Sequence, residues 1–205
     1  MNDKAMFSLT YGLFALTAKM DGVDNGCIIN TAMQVTDTPK RISITVNKSN
    51  HTHDMIMATG IFNISIFSEK ATFDTFKRFG FQSGRDVKKF DGYNPWKYSA
   101  NGLAYLTEGT NAYISARVEK TMDLGTHTMF IATIEDMDVL SNDPSATYAY
   151  YHAHIKPKPQ ETKPSGKTGY RCKVCGYVYE GDELPEDFIC PWCKHGASDF
   201  EKVEL

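Results

Sequence analysis

The pattern of apolar and polar positions along most of the chain is that of short β-strands. Apolar or alternating runs predict strands at residues 11–19, 26–35, 41–47, 61–67, 103–107, 112–122 and 127–140. Turn-forming residues separate these runs, among them Asp21-Gly22, Asn25-Gly26 and residues 123–126. About seven strands with only short helices are typical of a barrel or a sandwich, so the chain is predicted to be mainly β.

Two short helices are predicted between the strands. One covers residues 52–58 and ends before Gly60, and the other begins after a cap at Ser68 and runs through Phe79. The alternation in Tyr150-Tyr-His-Ala-His154 is interpreted as a last, solvated strand.

The composition narrows the class of protein. Hydrophobic residues make up 41% and charged residues 23% of the chain, as in an ordinary soluble protein. A net charge of −3 provides no basic surface, so we expect no nucleic-acid partner. The sequence contains no apolar run of membrane-spanning length, and its first residues lack the features of a signal peptide. We therefore expect a cytoplasmic protein without a membrane partner.

A change of composition divides the chain into two domains. Residues 156–168 contain three of the eight prolines and no large apolar side chain. They are predicted to form an extended linker between a domain at residues 1–155 and a small domain at residues 169–205. Residues 168–205 contain eight acidic and four basic residues. Such an acidic surface either steers the small domain to a basic partner or serves only solubility.

Four of the five cysteines form two C-x-x-C pairs, Cys172-Lys-Val-Cys175 and Cys190-Pro-Trp-Cys193. Two such turns that face each other build a tetrahedral sulfur site, which suits iron or zinc. Two disulfides would need an oxidising compartment, and nothing in the chain indicates one. The fifth cysteine, Cys27, lies among apolar residues and is expected to be an inert core thiol.

The residues around the four cysteines resemble rubredoxin. Gly176-Tyr-Val-Tyr179 follows the first pair, Asp187-Phe-Ile precedes the second, and Asp199-Phe200 comes after it. The resemblance covers residues 168–205 and implies a rubredoxin-like domain with one iron bound by Cys172, Cys175, Cys190 and Cys193. Fourteen residues separate the two pairs, fewer than in free-standing rubredoxins. Zinc remains the alternative metal, because zinc ribbons share these turns.

A phosphate site is predicted where the strand at residues 41–47 ends. The segment Val46-Asn-Lys-Ser-Asn-His-Thr-His53 places a lysine and several polar side chains directly before a helix. Free N–H groups at the start of a helix converge there beside a cation, which is an arrangement that binds phosphate. Asn and Ser are also ordinary helix caps, so this segment alone is a weak signal.

Three segments together resemble the flavin reductase-like family of FMN-binding split barrels. They are residues 25–36, with the sequence Asn-Gly-Cys-Ile-Ile-Asn-Thr-Ala-Met-Gln-Val-Thr, the phosphate segment, and Gly125-Thr-His-Thr-Met-Phe130. The last is similar to the family element G-D-H-T-x-F, with Thr126 in place of Asp. The resemblance covers residues 3–155 and implies a Greek-key split β-barrel that forms a homodimer, with FMN at the subunit interface.

The same resemblance implies the residues of the flavin site. Three would face the flavin ring and the ribityl chain: Asn30, Thr31 and Ala32. Four would hold the phosphate: Asn47, Lys48, Ser49 and Arg85. His127 is the catalytic candidate, because it would order the nicotinamide or bind the flavin; a partly exposed strand histidine is the alternative. His53 would support the phosphate loop or only the helix start, and Phe79 would pack on the flavin or in the core.

A split barrel fused to a short rubredoxin resembles a group of redox proteins of anaerobic bacteria. This likeness implies that electrons pass from NADH or NADPH through FMN and iron to a flavodiiron oxygen or nitric oxide reductase. FMN connects a hydride donor with an iron that accepts one electron at a time. Two alternatives remain: a free-flavin reductase with a structural zinc ribbon for docking, and a non-enzymatic electron shuttle that another protein reduces.

Overall fold

The computed structural model describes residue 5 and residues 8–157, 168–173, 176–190 and 195–204. The chain divides into two compact units, Met1–Ile155 and Lys156–Leu205. Most of the predicted linker lies outside the described residues, and so do two of the four predicted metal ligands, Cys175 and Cys193. Within the described part of the chain, no helix is long and apolar enough to cross a bilayer.

The first unit is built mainly from antiparallel strands. They are β1 (Phe14–Met20), β2 (Val23–Ile29), β3 (Met33–Thr36), β4 (Arg41–Asn47), β5 (Ile61–Phe67), β6 (Trp96–Tyr98), β7 (Ala104–Leu106), β8 (Thr110–Asp123) and β9 (His127–Val139). The helices are α1 (His51–Thr59), α2 (Phe73–Gly80) and α3 (Tyr148–Tyr150), and a π-helical turn at Tyr151–Ile155 follows α3. The predicted mainly β fold is confirmed.

Seven strands form one sheet in the order β2-β1-β5-β8-β9-β4-β3, and β6 and β7 form a separate hairpin. The edge strands are β2 and β3, and no ladder among the described residues joins them into a closed barrel. An apolar core is formed by side chains of the sheet strands and includes Leu16, Ile44 and Phe130, each fully buried. A second cluster packs α2 against the sheet through Phe67 and Phe76. Apolar side chains on both faces explain why β1 and β5 read as nearly continuous apolar runs.

The predicted turn at Asn25-Gly26 is wrong, because both residues pair with β1 inside β2. The chain turns earlier, at Asp21-Gly22, where both residues have positive φ angles. A Cβ atom at position 26 would lie 2.9 Å from the carbonyl oxygen of Leu16. Gly26 is therefore a residue of close backbone approach within a strand, and not a turn residue.

The first predicted helix is confirmed and the start of the second is not. The α1 helix ends at Gly60, whose φ of 71° and N–H bond to the carbonyl of Ile56 make a left-handed cap. The residue before α2 is Thr72, whereas Ser68 directly follows β5 and forms an isolated bridge with Ser145. The hydroxyl of Ser68 accepts the N–H of Lys70 and so stabilises a turn ahead of the helix.

The predicted last strand at residues 150–154 is also wrong, because the segment is helical. The hydroxyl of Thr147 accepts the N–H of Tyr150 and caps this short helix. Tyr148 and Tyr151 are three residues apart and stack on each other, and Tyr151 packs on Phe76 with ring centroids 4.6 Å apart. Burial of Tyr151 against Phe76 outweighs the alternating pattern of this segment.

The second unit is a small three-stranded sheet. Its strands are β10 (Thr168–Cys172), β11 (Val178–Glu180) and β12 (Phe200–Glu204), in the order β11-β10-β12, and a 3₁₀ turn at Ala197–Asp199 precedes β12. Phe188 lies at its aromatic centre, with ring centroids 4.8 Å from Tyr179 and 5.4 Å from Phe200. So few apolar side chains make a metal the expected source of further stability.

Candidate functional site

The loop between β4 and α1 is a tight turn fixed by its own backbone. The side-chain oxygen of Asn47 accepts the N–H of Ser49 at 2.9 Å, and its carbonyl accepts the N–H of Asn50 at 3.0 Å. The side chain of Asn50 makes no capping bond to α1. Ser49 is exposed beside this uncapped helix start. The predicted phosphate segment therefore has the geometry of an anion site at a helix N-terminus.

Lys48 connects this loop to the turn between β8 and β9. Its N–H donates to the carbonyl of Thr126 at 3.0 Å, and its ammonium lies 2.7 Å from the carboxylate of Asp123. The same carboxylate accepts the N–H of Gly125 at 2.8 Å, where φ is 80°. The hydrogen bond from Lys48 is the main reason why the pKa of Asp123 is lowered. Lys48 is thus held by a carboxylate 75 residues away in sequence.

Arg85 reaches the first turn of α1 from the irregular segment at residues 81–95. Its guanidinium lies 2.7 Å from the carboxylate of Asp54 and 3.4 Å from Nδ1 of His51. The structure therefore brings a second cation to the helix start that follows Lys48. The contact with Asp54 fixes the orientation of the planar guanidinium. It therefore also fixes the directions of the N–H groups of Arg85 that Asp54 does not bind.

The two predicted histidines have different surroundings. His53 is 7% exposed, and its Nε2 lies 2.9 Å from the hydroxyl of Thr128, so it ties α1 to β9 behind the loop. His127 opens β9 opposite Asn47 in the ladder and is partly exposed. Its Nδ1 lies 2.8 Å from the hydroxyl of Thr126, the residue that replaces the family's Asp. His127 is thus at the loop surface, whereas His53 lies beneath it.

The segment after β2 is bonded to the backbone of β4 through Thr31. The hydroxyl of Thr31 donates to the carbonyl of Thr45 at 2.7 Å and accepts the N–H of Thr45 at 3.3 Å. Asn30 and Ala32 flank it and are both partly buried. Ala32 also lines an apolar groove of about 370 Å³. Thr31 therefore fixes this segment beside the strand that leads to the phosphate loop.

Phe79 is placed in the core of the first unit. Its side chain is 1% exposed, and its ring centroid lies 5.3 Å from that of Phe90 and 5.2 Å from that of Tyr93. A ring with so little exposed surface has no free face for a flavin. Its burial favours packing in the core over contact with a cofactor.

Lys89 is a buried ionisable side chain that was not anticipated from the sequence, whereas Cys27 is buried as expected. Lys89 is 3% exposed, and its ammonium donates to the carbonyls of Gly26 at 2.8 Å and Phe79 at 2.9 Å. Burial lowers the pKa of Lys89 to about 8 and raises the pKa of the Cys27 thiol to about 11. Asn25 is also buried, and its side-chain oxygen has no hydrogen-bond partner among the described residues.

The two described cysteines of the C-x-x-C pairs make matching backbone hydrogen bonds in the second unit. The N–H of Cys172 donates to the carbonyl of Tyr177 and the N–H of Cys190 to that of His195, both at 2.8 Å and both five residues onward. Gly176 has a φ of 82° and donates its N–H to the carbonyl of Cys172. Matched turns of this kind fit a shared sulfur-ligated metal.

The two thiols are 1% and 0% exposed, for Cys172 and Cys190 respectively. Buried sulfur ligands suit iron or zinc, and they do not suit the oxygen-preferring cations. The other two predicted ligands, Cys175 and Cys193, lie outside the described residues. The chemistry of the donor set therefore fits either metal proposed from the sequence.

Two family models match the chain. The flavin reductase like domain matches residues 6–158, and the rubrerythrin, rubredoxin-like domain matches residues 170–201. High molecular weight rubredoxin of Moorella thermoacetica is 38% identical, over 99% of this chain and all of that protein. Ferric-chelate reductase (NAD(P)H) of Archaeoglobus fulgidus is 35% identical, over 79% of this chain and 95% of that protein.

The fold is also similar to that of solved structures. The NADH:FAD oxidoreductase SgcE6 of Streptomyces globisporus, in complex with NAD and FAD fragments, superposes with a TM-score of 0.63 at 16% identity. The match covers 78% of this chain and 92% of that chain. At 16% identity, this structural similarity supports only the fold of the first unit.

Proposed function

Because the chain belongs to the flavin reductase-like family and carries a rubredoxin-like domain after the flavin reductase domain, we propose that it is an NAD(P)H-dependent FMN oxidoreductase whose electrons leave through a bound iron. The two family assignments made from the sequence, and their fusion in one chain as in high molecular weight rubredoxin, are confirmed. The observation that carries the proposed reaction is the junction of β4 and α1, where Lys48 and Arg85 meet an uncapped helix start.

Lys48, Ser49 and Arg85 are proposed to hold the terminal phosphate of FMN. An ammonium has three donors and a guanidinium has five, so each cation keeps N–H groups for a ligand while its carboxylate partner orients it. The dipole of α1 adds partial positive charge at the same place. Asn47 shapes the turn through its bond to the N–H of Ser49. The site favours a dianionic phosphate, which distinguishes FMN from riboflavin.

Thr31 and its neighbours are proposed to line the flavin ring, and His127 to order the nicotinamide. Thr31 is fixed on β4, the strand that ends in the phosphate loop, so one cofactor can contact both segments. The hydrogen bond of His127 to Thr126 fixes the orientation of its ring. A nicotinamide donor is supported by the relatives, one of which is named as an NAD(P)H-dependent reductase.

We also propose a homodimer. The apolar groove beside Ala32 is lined by isoleucines of the core strands, and its rim carries Met33 and Met137. These two methionines are 65% and 48% exposed. A second copy of the chain would cover them and complete the groove, as exposed apolar surface of this kind commonly marks an interface.

The rubredoxin-like domain is proposed to hold iron and to deliver electrons to a partner such as a flavodiiron protein. FMN, when bound, takes two electrons from a hydride and releases them singly, as a one-electron iron centre requires. Backbone N–H groups that donate to the cysteine sulfurs would tune the reduction potential of such a centre. Ile189, next to Cys190, is 55% exposed and offers an apolar contact surface to the acceptor.

The experiment uses the full chain purified without oxygen. The proposal predicts one iron per chain, bound FMN, and loss of flavin absorbance when NADH or NADPH is added. One zinc and no iron would instead support a flavin reductase with a structural zinc ribbon. Flavin that stays oxidised in the presence of both nucleotides would support a shuttle that another protein reduces.

A further inference from the structure

Lys89 is a buried polar anchor of an irregular segment whose later part also packs on Phe79 through Phe90 and Tyr93. Residues 81–95 form no strand or helix, yet Lys89 is 3% exposed among exposed neighbours such as Lys88. Its ammonium joins the carbonyl of Gly26 in β2 to the carbonyl of Phe79 near the end of α2. Burying an ammonium costs several kcal/mol unless it is well bound. Because this burial is costly, we expect Lys89 to hold backbone in a position that apolar packing alone would not hold.

The same segment is held at a second point, Gly84, which directly precedes Arg85. The backbone of Gly84 lies directly on the side chain of Asn25, so a Cβ atom at position 84 would be 2.1 Å from its Nδ2. Nδ2 of Asn25 also lies 3.5 Å from the hydroxyl of Thr52 in the first turn of α1. The segment therefore contacts β2 through Asn25, and Asn25 in turn contacts the start of α1.

The two anchored residues, Gly84 and Lys89, lie on either side of Arg85 in the sequence. They place its guanidinium against Asp54 and His51, at the helix start proposed to bind the phosphate. Arg85 itself is exposed, and an exposed ion pair with Asp54 contributes little to holding a loop in place. The position of Arg85 therefore depends on anchors elsewhere in the segment, of which Lys89 is the buried one.

We propose that Lys89 is a positioning residue for phosphate recognition: its bonds to Gly26 and Phe79 hold Arg85 at the start of α1. This inference rests on the proposed function, since it concerns the same phosphate site. Lys89 touches neither phosphate nor flavin in this account and acts only through Arg85. The expected consequence is a selective one, in which affinity for FMN falls and affinity for riboflavin, which lacks the phosphate, is kept.

The test compares the dissociation constants of FMN and riboflavin for the full-length apoprotein and its variants. Lys89→Met should weaken FMN about tenfold, the size of one lost charge-assisted contact, and leave riboflavin within about twofold. Lys88→Met, an exposed neighbour, is the matched control and should change neither. Lys89→Arg, which restores two donors, should recover part of the FMN affinity. Because Lys89 acts through Arg85, the double variant Lys89→Met/Arg85→Ala should bind FMN like Arg85→Ala alone.

Gly84→Ala provides a second route if Lys89→Met fails to fold. It displaces the segment at its other fastening and should produce the same loss of FMN affinity with riboflavin unchanged. A merely structural role for Lys89 predicts equal losses for FMN and riboflavin and additive effects in the double variant, and would overturn the inference. If Lys48→Ala and Arg85→Ala leave the FMN affinity unchanged, the phosphate site itself is wrong. If they weaken FMN while Lys89→Met and Gly84→Ala do not, only the role of Lys89 is wrong.

Discussion

The ammonium of Lys48 lies 2.7 Å from the carboxylate of Asp123, which ties the end of β4 to the turn between β8 and β9. The cation proposed to bind phosphate is therefore already oriented by an anion. This hydrogen bond lowers the pKa of Asp123, so the pair persists as pH falls until the lowered pKa is reached. The arrangement makes separate predictions for the two partners.

Replacing Lys48 with Ala should weaken FMN binding and leave the first unit folded. Loss of one charge-assisted phosphate contact is expected to cost roughly ten- to a hundredfold in affinity. Titration of the apoprotein with FMN, followed by quenching of flavin fluorescence, measures the effect. Lys40→Ala is the control, because Lys40 pairs with Asp37 in the turn before β4. Equal dissociation constants for Lys48→Ala and the unmodified protein would move the phosphate site elsewhere.

Replacing Asp123 with Asn should have the opposite effect. The change removes a negative charge that competes with the phosphate for Lys48, and the isosteric amide still accepts the N–H of Gly125. The gain is limited because the pair is exposed, so we expect FMN to bind roughly two- to fivefold more tightly. The same titration, with Asp37→Asn as the control, measures it. Weaker binding in Asp123→Asn would mean that orienting Lys48 matters more than its free charge.

The strand end and helix start of the proposed phosphate segment were predictable because they are adjacent in sequence. A strand end, a lysine and a helix start lie within residues 46–53, and a local pattern describes them. Lys89 was not predictable, because it follows Lys88 in a segment that reads as solvated, and its partners are backbone carbonyls 10 and 63 residues away. Backbone acceptors carry no signature in the sequence. Asp123 was also not predicted as a partner of Lys48, because 75 residues separate the two in the sequence.

The errors in the fold have a common origin. Asn25-Gly26 reads as a turn locally, but the close approach of Leu16 requires a glycine in the strand. The alternating residues at 150–154 read as a strand, but Tyr151 finds Phe76 as a partner and the segment becomes helical. In both places contacts between distant residues decided against the local preference.

Burial of Lys89 predicts a pH dependence of stability. The pKa of Lys89 is lowered from 10.5 to about 8, so between these values the unfolded chain binds a proton that the folded protein has lost. The free energy of unfolding contributed by this residue therefore rises with pH across that window. The neutral amine keeps two N–H donors for the carbonyls of Gly26 and Phe79.

The measurement is urea unfolding of the unmodified protein and of Lys89→Met between pH 7 and pH 10. The difference in unfolding free energy should grow in favour of the unmodified protein above about pH 8. Cys27, whose pKa is raised to about 11, acts in the opposite direction above its ordinary value of 9.0. Because Cys27 and Lys89 interact electrostatically, the contribution of Cys27 differs between the two proteins, so the comparison is repeated in a Cys27→Ala background. A constant difference would show that Lys89 stays charged throughout.

Replacing Cys190 with Ser should abolish the metal site and leave flavin binding intact. The small unit has few apolar contacts of its own, so loss of one sulfur ligand should unfold residues 168–205. Metal content and amide hydrogen exchange of the full chain report the two effects, with Cys27→Ser as the control. Retention of one iron per chain in Cys190→Ser would exclude this cysteine as a ligand.

The central claim is that electrons from a nicotinamide reach an iron in the rubredoxin-like domain through FMN. It is tested most directly by mixing the anaerobic full-length protein with NADH or NADPH and following the absorbance of flavin and of ferric thiolate together. We predict that both absorbances are lost, that of the iron after that of the flavin, and that Cys190→Ser loses the flavin absorbance alone. Flavin that is fully reduced while the ferric absorbance persists would contradict it.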